Sequence, residues 1–353
     1  MSASAPVVVI DSGTTNSRVR VLRGQTVLGH AMAAVGVVDT AKTGSNATLK
    51  RGVREAFDHA LREAGLAPGE ASHALAFGMI TSELGVVELP HLVAPVGLRD
   101  LAGGLYCLEP TDDFLPIPTY FIRGIKNRAE SFAHVRYLPQ MDFMRGEETQ
   151  VMGLLALERP ALPMTVVVLS SHTKFISVDE TGRIQGSVTT LSGQLYAALC
   201  KETFLASAVR EDPGDPEPPG YFDAGLVEEA WRIVSVAGLT RALLLPRFMQ
   251  VLMRTRWFER RLFLEALIAG EDLRGLADLV GLGFPTTTPV TLVGPPTRCA
   301  VLALLIGRSG AFRGPVTTLS DPEAVEGLGP AGALEIFRHR FGERQRRGEG
   351  QDP

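Results

Sequence analysis

Two distant stretches of this chain lie over one another without a gap. VVVIDSGTTNSRV, from Val7, and VVVLSSHTKFISV, from Val166, share three valines, Ser12 with Ser171, Thr14 with Thr173 and Val19 with Val178. In each, a continuous apolar run meets a polar turn and then a second strand. Such a run is the pattern of a strand buried on both faces. One reading is a chance likeness of two buried strand–turn–strand units. The sharper one is a duplicated domain, with a matching hairpin in each half facing a cleft. A chain of 353 residues, at about 100–200 residues per domain, has room for two halves. The division then falls near residue 160, giving domains at 1–160 and 161–341 and a polar, flexible tail at 342–353.

Composition narrows the class. The chain is 45% hydrophobic and 21% charged, which excludes a disordered chain. No run of about 18 uninterrupted apolar residues exists, so no membrane span is expected. The first six residues lack the basic-then-apolar pattern of a signal peptide. Cys107, Cys200 and Cys299 are too few and too scattered for a disulfide framework or a metal-spaced cluster; a reducing cytoplasm fits best. A formal net charge of −4 argues against a nucleic-acid partner. Lysine occurs only at 42, 50, 126, 174 and 201, which draws attention to Lys126 and Lys174, near the motifs below.

The remaining pattern alternates strands and helices. Further strands are expected at 26–35, 73–79, 92–96, 120–125, 183–191, 289–293 and 316–319. Helices are expected at 47–64, 147–158, 193–205, 225–237, 240–270, 300–306 and 332–340. Arg254, Arg256, Arg260 and Arg261 read as a solvated face or a contact within a homodimer.

Three places can carry chemistry. At the first turn, Asp11 stands at the tip of a buried strand, where a carboxylate can hold Mg²⁺. Gly13 allows close approach, and Thr14, Thr15 and Asn16 offer hydroxyl, amide and backbone donors to phosphate; an ordinary polar turn is the equal alternative. Next, Met144-Arg145-Gly146-Glu147-Glu148-Thr149-Gln150 puts two carboxylates at a helix start. A carboxylate there can take the proton of an attacking hydroxyl, though acidic first turns are also routine capping. Lastly, Ser170–Lys174 repeats the hairpin turn without an aspartate; His172 and Lys174 read equally as structural residues. Neither a P-loop nor a dinucleotide fingerprint is present.

The first hairpin resembles the phosphate hairpin of the sugar kinase, heat-shock chaperone and actin superfamily. The heptapeptide from Met144 is similar to a signature of the 2-dehydro-3-deoxygalactonokinase family. Weaker likenesses follow at Gly78-Met79-Ile80 with Ser82 and Gly85, at His172 with Lys174, at residues 189–193, at residues 222–226, at Gly294, and at Asp321 with Gly327. The resemblance implies a two-domain α/β fold of the actin-like ATPase, ribonuclease H-like type with a central cleft. It implies ATP-dependent phosphorylation of 2-dehydro-3-deoxy-D-galactonate on its terminal hydroxyl.

By the same resemblance Asp11 positions Mg²⁺, and Glu147 is the base with Glu148 beside it. Arg18, Ser82 and Arg145 read the sugar acid. Gly13, Thr14, Thr15, Asn16, Ser171, Thr173, Lys174 and Gly294 border ATP. Ser12, Glu83, Val86, Ser170-Ser171, Gln194 and Pro295-Pro296 depart from the family's pattern. Two rival readings therefore stand: an exopolyphosphatase-like phosphohydrolase, and a sugar-acid- or nucleotide-binding paralogue with weakened catalysis.

Overall fold

A computed structural model describes residues 5–310 and 312–348. The strands in chain order are β1 (Val7–Ser12), β2 (Ser17–Arg23), β3 (Thr26–Ala33), β4 (His73–Gly78), β5 (Leu92–Val93), β6 (Tyr106–Leu108) and β7 (Thr119–Phe121). They continue with β8 (Ile125–Lys126), β9 (Phe143–Met144), β10 (Met164–Leu169), β11 (Thr173–Val178), β12 (Ile184–Thr190), β13 (Val290–Val293) and β14 (Val316–Leu319). Three sheets result, ordered β3-β2-β1-β4-β7-β6, β12-β11-β10-β13-β14 and β5-β8-β9. Among the described residues no helix is long and apolar enough to cross a membrane.

The chain divides into two compact units. One holds the chain up to Pro160 with Thr181–Gly186 and the segment from Glu326; the other holds Ala161–Glu180 and Ser187–Val325. This division departs from limits at 160 and 161–341 in two places. The first unit takes back the β11–β12 turn, where Ile184 bridges Val96, and most of the last helix.

The two large sheets share a plan. β1 pairs antiparallel with β2 and parallel with β4; β10 pairs antiparallel with β11 and parallel with β13. Both central strands are apolar because both faces are covered. In the first unit the helix Ala47–Glu63 buries Leu49, Val53, Phe57, Ala60 and Leu61 in a core with Val8, Ile10, Val19 and Val21. In the second, Val167, Phe175 and Leu292 share a core with Leu262, Phe263 and Leu267 of the helix Trp257–Gly281.

Three local expectations are corrected. The helix expected at 240–270 is broken: Leu239–Ala242, Leu245–Phe248 and a π-turn at Met249–Met253 precede the helix Trp257–Gly281. Pro246 is at home only near a helix start, and Arg254 takes a left-handed conformation, φ 55°. The expected polar tail is helical through Gly348, in the helix Pro322–Gly348. Aromatic packing explains this: Phe337 stacks on His73 at 3.9 Å and Phe341 meets Tyr120 at 5.5 Å. Residues 349–353 lie outside the described residues. Finally, the arginine cluster is not one solvated face. Arg260 is buried and donates to the Ala208 and Thr255 carbonyls, Arg256 pairs with Asp215, and Arg261 donates to the Tyr196 hydroxyl at 3.1 Å.

Candidate active site

Asp11 and Ser12 close β1. Ser12 and Ser17 share a buried hydroxyl–hydroxyl bond of 2.8 Å, and Gly13 N–H donates to the Asn16 carbonyl at 2.8 Å. These bonds fix the tip, leaving Thr14 and Thr15 exposed. Val38 N–H, in the helix Val37–Thr43, holds the Thr14 carbonyl at 3.0 Å. On the parallel side Gly78, the register partner of Ser12, has φ 86°. A Cβ there would come within 2.5 Å of the Ser12 carbonyl, so only glycine lets the two strands end together.

Gly78 is also the link to the helix Glu147–Glu158. A Cβ on Gly78 would stand 3.5 Å from Asp11 Oδ1, and one on Gly146 would stand 3.6 Å from Gly78 Cα. The Asp11 carboxylate and the acidic helix start are thereby neighbours. Burial raises the pKa of Asp11; Arg18 and Arg20 offset this in part, while Glu147 and Glu326 push it further up. The nearest cation, Arg18, stands at 4.0 Å, and Arg20 is paired with Glu326 at 2.5 Å.

The two glutamates differ sharply. Glu148 is fully buried; its two oxygens accept from Gly146 N–H, at 3.0 and 2.8 Å, and one also accepts from Thr149 Oγ1, at 3.2 Å. Burial first, and then Glu147, push its pKa up to about 8. Glu147 is half-buried, with no hydrogen bond to its carboxylate among the described residues. It is the one free to meet a substrate.

The residues expected to read the sugar acid are not equivalent. Arg18 is 40% exposed beside Asp11. Ser82 is buried, and its hydroxyl donates to the Met79 carbonyl at 2.8 Å. Arg145 donates to Thr81 Oγ1 and to the Leu89 carbonyl, each at 2.8 Å. Its guanidinium thus ties down the segment after Gly78.

In the second unit, Ser171, Thr173, Lys174 and Gly294 do gather around one hairpin tip. Gly294 has φ 151°, and a Cβ would meet the Leu169 carbonyl at 2.5 Å. Arg298 donates to the Ser170 carbonyl at 2.5 Å and to Thr173 Oγ1 at 3.2 Å, and pairs with Glu265 at 3.1 Å. Asp272 accepts from Thr190 at 2.5 Å and from Ser192. Lys174 is buried, its ammonium donating to Thr189 Oγ1 at 2.5 Å. Arg298, Glu265 and Asp272 escape a sequence reading because they lie on helices far along the chain. The single available signal is that Arg298 follows Gly294 by four residues.

Pro295 and Pro296 occupy the cap and first position of the helix Pro296–Ser309, where a backbone N–H has no intrahelical partner. Beside them lies a cavity of about 360 Å³ lined by Tyr196, Tyr221, Phe258, Arg261, Pro295 and Arg298.

A pair of α/β units, each with a glycine-lined hairpin tip at the end of its central strand, defines the actin-like ATPase and sugar kinase class. A solved structure of Acidaminococcus fermentans (R)-2-hydroxyglutaryl-CoA dehydratase component A has this fold, with a TM-score of 0.50 and 14% identity over 96% of this chain and 100% of its own. The chain belongs to the 2-keto-3-deoxy-galactonokinase family, whose model matches residues 11–327. A Sinorhizobium meliloti protein named as a putative 2-dehydro-3-deoxygalactonokinase has the same fold, with a TM-score of 0.69 and 22% identity over 94% of this chain and 96% of its own. A probable 2-dehydro-3-deoxygalactonokinase of Rhizobium meliloti (strain 1021) is 25% identical over 60% of this chain; the match spans 61% of that relative.

Proposed function

We propose that this protein transfers the γ-phosphoryl group of ATP to the terminal hydroxyl of 2-dehydro-3-deoxy-D-galactonate, giving the 6-phosphate and ADP. The observation that carries this is the juxtaposition of Asp11 and Glu147, two carboxylates on adjoining elements, the first with a single ion pair, to Arg18 at the long distance of 4.0 Å, and the second with none among the described residues. The sugar oxygen bonds to the γ-phosphorus, the bond to the β-bridging oxygen breaks, and Glu147 takes the hydroxyl proton. Glu148, held against Gly146 N–H, fixes the start of the helix that presents Glu147.

Asp11 suits a divalent cation. Its carboxylate is disfavoured by burial and by two further carboxylates, which a cation would reverse. Among the described residues no three His, Cys, Asp or Glu side chains cluster as a metal cage. A single carboxylate fits Mg²⁺, which keeps several waters and binds through substrate phosphates. When bound, Mg²⁺ neutralises phosphate charge. Thr14, Thr15 and Asn16 offer donors to phosphate at the first tip, and Ser171 does so at the second; Thr173 is buried there, its hydroxyl engaged by Arg298 and Asp272. The cavity beside Pro295, with its aromatic and arginine walls, suits the nucleoside.

ADP release is the test, measured with 2-dehydro-3-deoxy-galactonate, its gluconate epimer and no sugar. Sugar-stimulated ADP release is expected. Glu147→Gln should lower kcat about 10²- to 10⁴-fold, the usual worth of a positioned base, with the KM for ATP nearly unchanged. Phosphate release from polyphosphate without sugar would instead establish a phosphohydrolase. Nucleotide binding without turnover would establish a non-catalytic paralogue.

A further inference from the structure

The Arg145 guanidinium is already engaged, by Thr81 Oγ1 on one nitrogen and by the Leu89 carbonyl on another. It is poorly placed to give a substrate carboxylate a free fork. A second cation lies close by. Lys126 closes β8, in register with Phe143 of β9. Phe143 precedes Glu147 by four residues, at most about 14 Å of extended chain. An extended six-carbon acid and the two side chains together cover such a span. The Lys126 ammonium meets no carboxylate within 4 Å among the described residues. The ammonium lies over the face of Phe132, 4.4 Å away, a contact that leaves room for an anion.

His91 joins the two cations. Arg145 donates towards His91 Nδ1 at 3.5 Å, so the ring proton belongs on Nε2. Nε2 is buried without a hydrogen-bond partner. A Cβ on Gly124 would meet His91 Cδ2 at 3.0 Å and Arg145 Cγ at 2.7 Å. The two side chains therefore close around a glycine that stands two residues before Lys126. A donor lacking an acceptor is costly when buried, and a half-buried lysine without a carboxylate adds to the demand. Both deficits are met by the same chemistry, an anionic oxygen.

We infer that Lys126, with His91 beside it, forms the subsite that receives the carboxylate of the substrate. This deepens the sugar-acid kinase reading above and rests on it. Arg145 is then a positioning residue for the wall of the subsite. The electrostatics agree in direction: burial lowers the pKa of His91 to about 4, Arg145 and Lys126 lower it too, and Glu83 alone opposes them. A carboxylate placed there reverses the balance, so His91 becomes easier to protonate when the acid binds.

Two measurements on the full chain test the subsite. The first is kinetic, comparing 2-dehydro-3-deoxy-galactonate with its neutral C1 carboxamide. In the wild type the acid should have the lower KM. Lys126→Gln should raise the KM for the acid roughly 10- to 100-fold, the range for a hydrogen bond to a charged group, and abolish the preference over the amide. Lys126→Arg should restore part of it, and the KM for ATP should hold. The second is the NMR titration of His91 with saturating acid or amide, which needs no turnover. The acid should raise the His91 pKa, the amide should not, and Lys126→Gln should remove the effect.

Turnover of the acid with its preference intact in Lys126→Gln overturns the subsite and leaves the kinase standing. Acid-selective binding that depends on Lys126, without turnover, supports the subsite and refutes the kinase. Neither binding nor turnover of the acid refutes both.

Discussion

The two hairpin tips are built by the same devices and finished differently. In each, a glycine at the end of the parallel neighbour strand lies against the last carbonyl of the central strand. Gly78 stands against Ser12 and Gly294 against Leu169, and in both a Cβ would come within 2.5 Å of that oxygen. A second glycine, after the third strand of each sheet, faces the turn from the other side. A Cβ on Gly36 would reach 2.2 Å from the Thr14 carbonyl, and one on Gly193 would reach 2.0 Å from that of Ser170. Four glycines in matching places argue for duplication better than shared valines, and they correct the gapless overlay of the two stretches: they match Ser12 with Leu169 and Thr14 with Ser170, where the sequences alone paired Ser12 with Ser171 and Thr14 with Thr173. The finish differs in charge. The first tip carries a carboxylate that burial disfavours; the second carries none and is held from behind by Arg298 and Asp272. On the reading proposed above, one tip would take a cation and the other phosphate alone.

The sharpest way to break this division of labour is Asp11→Asn. Loss of a charge that positions a cation removes several kcal/mol of transition-state stabilisation, so kcat should fall about 10³-fold or more. Stability should move the other way. The folded-state pKa of Asp11 is raised, so its contribution is present at low pH and lost as pH rises through that pKa. At pH 7 without Mg²⁺ the variant should melt higher than the wild type. A lower melting temperature would mean that the carboxylate is structural.

The second tip is tested by Arg298. Removing one partner of a buried pair costs about 3–5 kcal/mol, because Glu265 would be left charged and uncompensated, its pKa already raised by burial. Arg298→Ala should therefore destabilise the second unit and raise the KM for ATP about 10-fold or more, the loss of one charge-assisted hydrogen bond. The double variant Glu265→Gln with Arg298→Met separates the two effects. It should recover most of the stability while the KM for ATP stays high, since the fork to Ser170 and Thr173 is missing. Recovery of both would reduce Arg298 to a packing residue.

What could be read from the sequence follows the range over which each feature is encoded. The tips, the central strands and the acidic helix start are local, and periodicity with turn chemistry suffices to find them. The division of the chain is not local. Thr181–Gly186 joins the first unit through Ile184 on Val96 and Arg183 on the Pro95 carbonyl, and the last helix joins it through Phe337 and Phe341 on His73 and Tyr120. The arginines show the same limit. Arg260 and Arg298 look like surface cations, and only tertiary packing reveals the carbonyls that each one holds. Residue type makes Ser82 and Arg145 natural contacts for a sugar acid, and it cannot show that their donors are already engaged.

The smallest expected effect concerns the pair of glutamates, and it asks whether Glu148 supports the first tip's machinery or shares in it. With its pKa up to about 8 in the fold and near 4.5 in the unfolded chain, Glu148 takes up a proton on folding between those values. Stability from this source is fully present below about pH 4.5 and is lost as pH rises through about 8. Half-buried His73 works in the opposite sense. Its pKa is lowered by burial from 6.5 to about 4, so its contribution is present above about 6.5 and fades as pH falls through about 4. Melting curves from pH 5 to 9 should thus show Glu148→Gln gaining on the wild type as pH rises, by about 1–3 kcal/mol at most, since the amide oxygen can still accept from Gly146 N–H. Glu147→Gln acts on the same slope from outside. It removes the neighbouring charge that helps to raise Glu148, so without Mg²⁺ its stability should decline less with pH than that of the wild type. Turnover decides the roles: Glu148→Gln should keep most of kcat if Glu148 only holds the helix start. Loss of turnover in Glu148→Gln, with Glu147→Gln still active, would make the buried glutamate the base and the half-buried one its support.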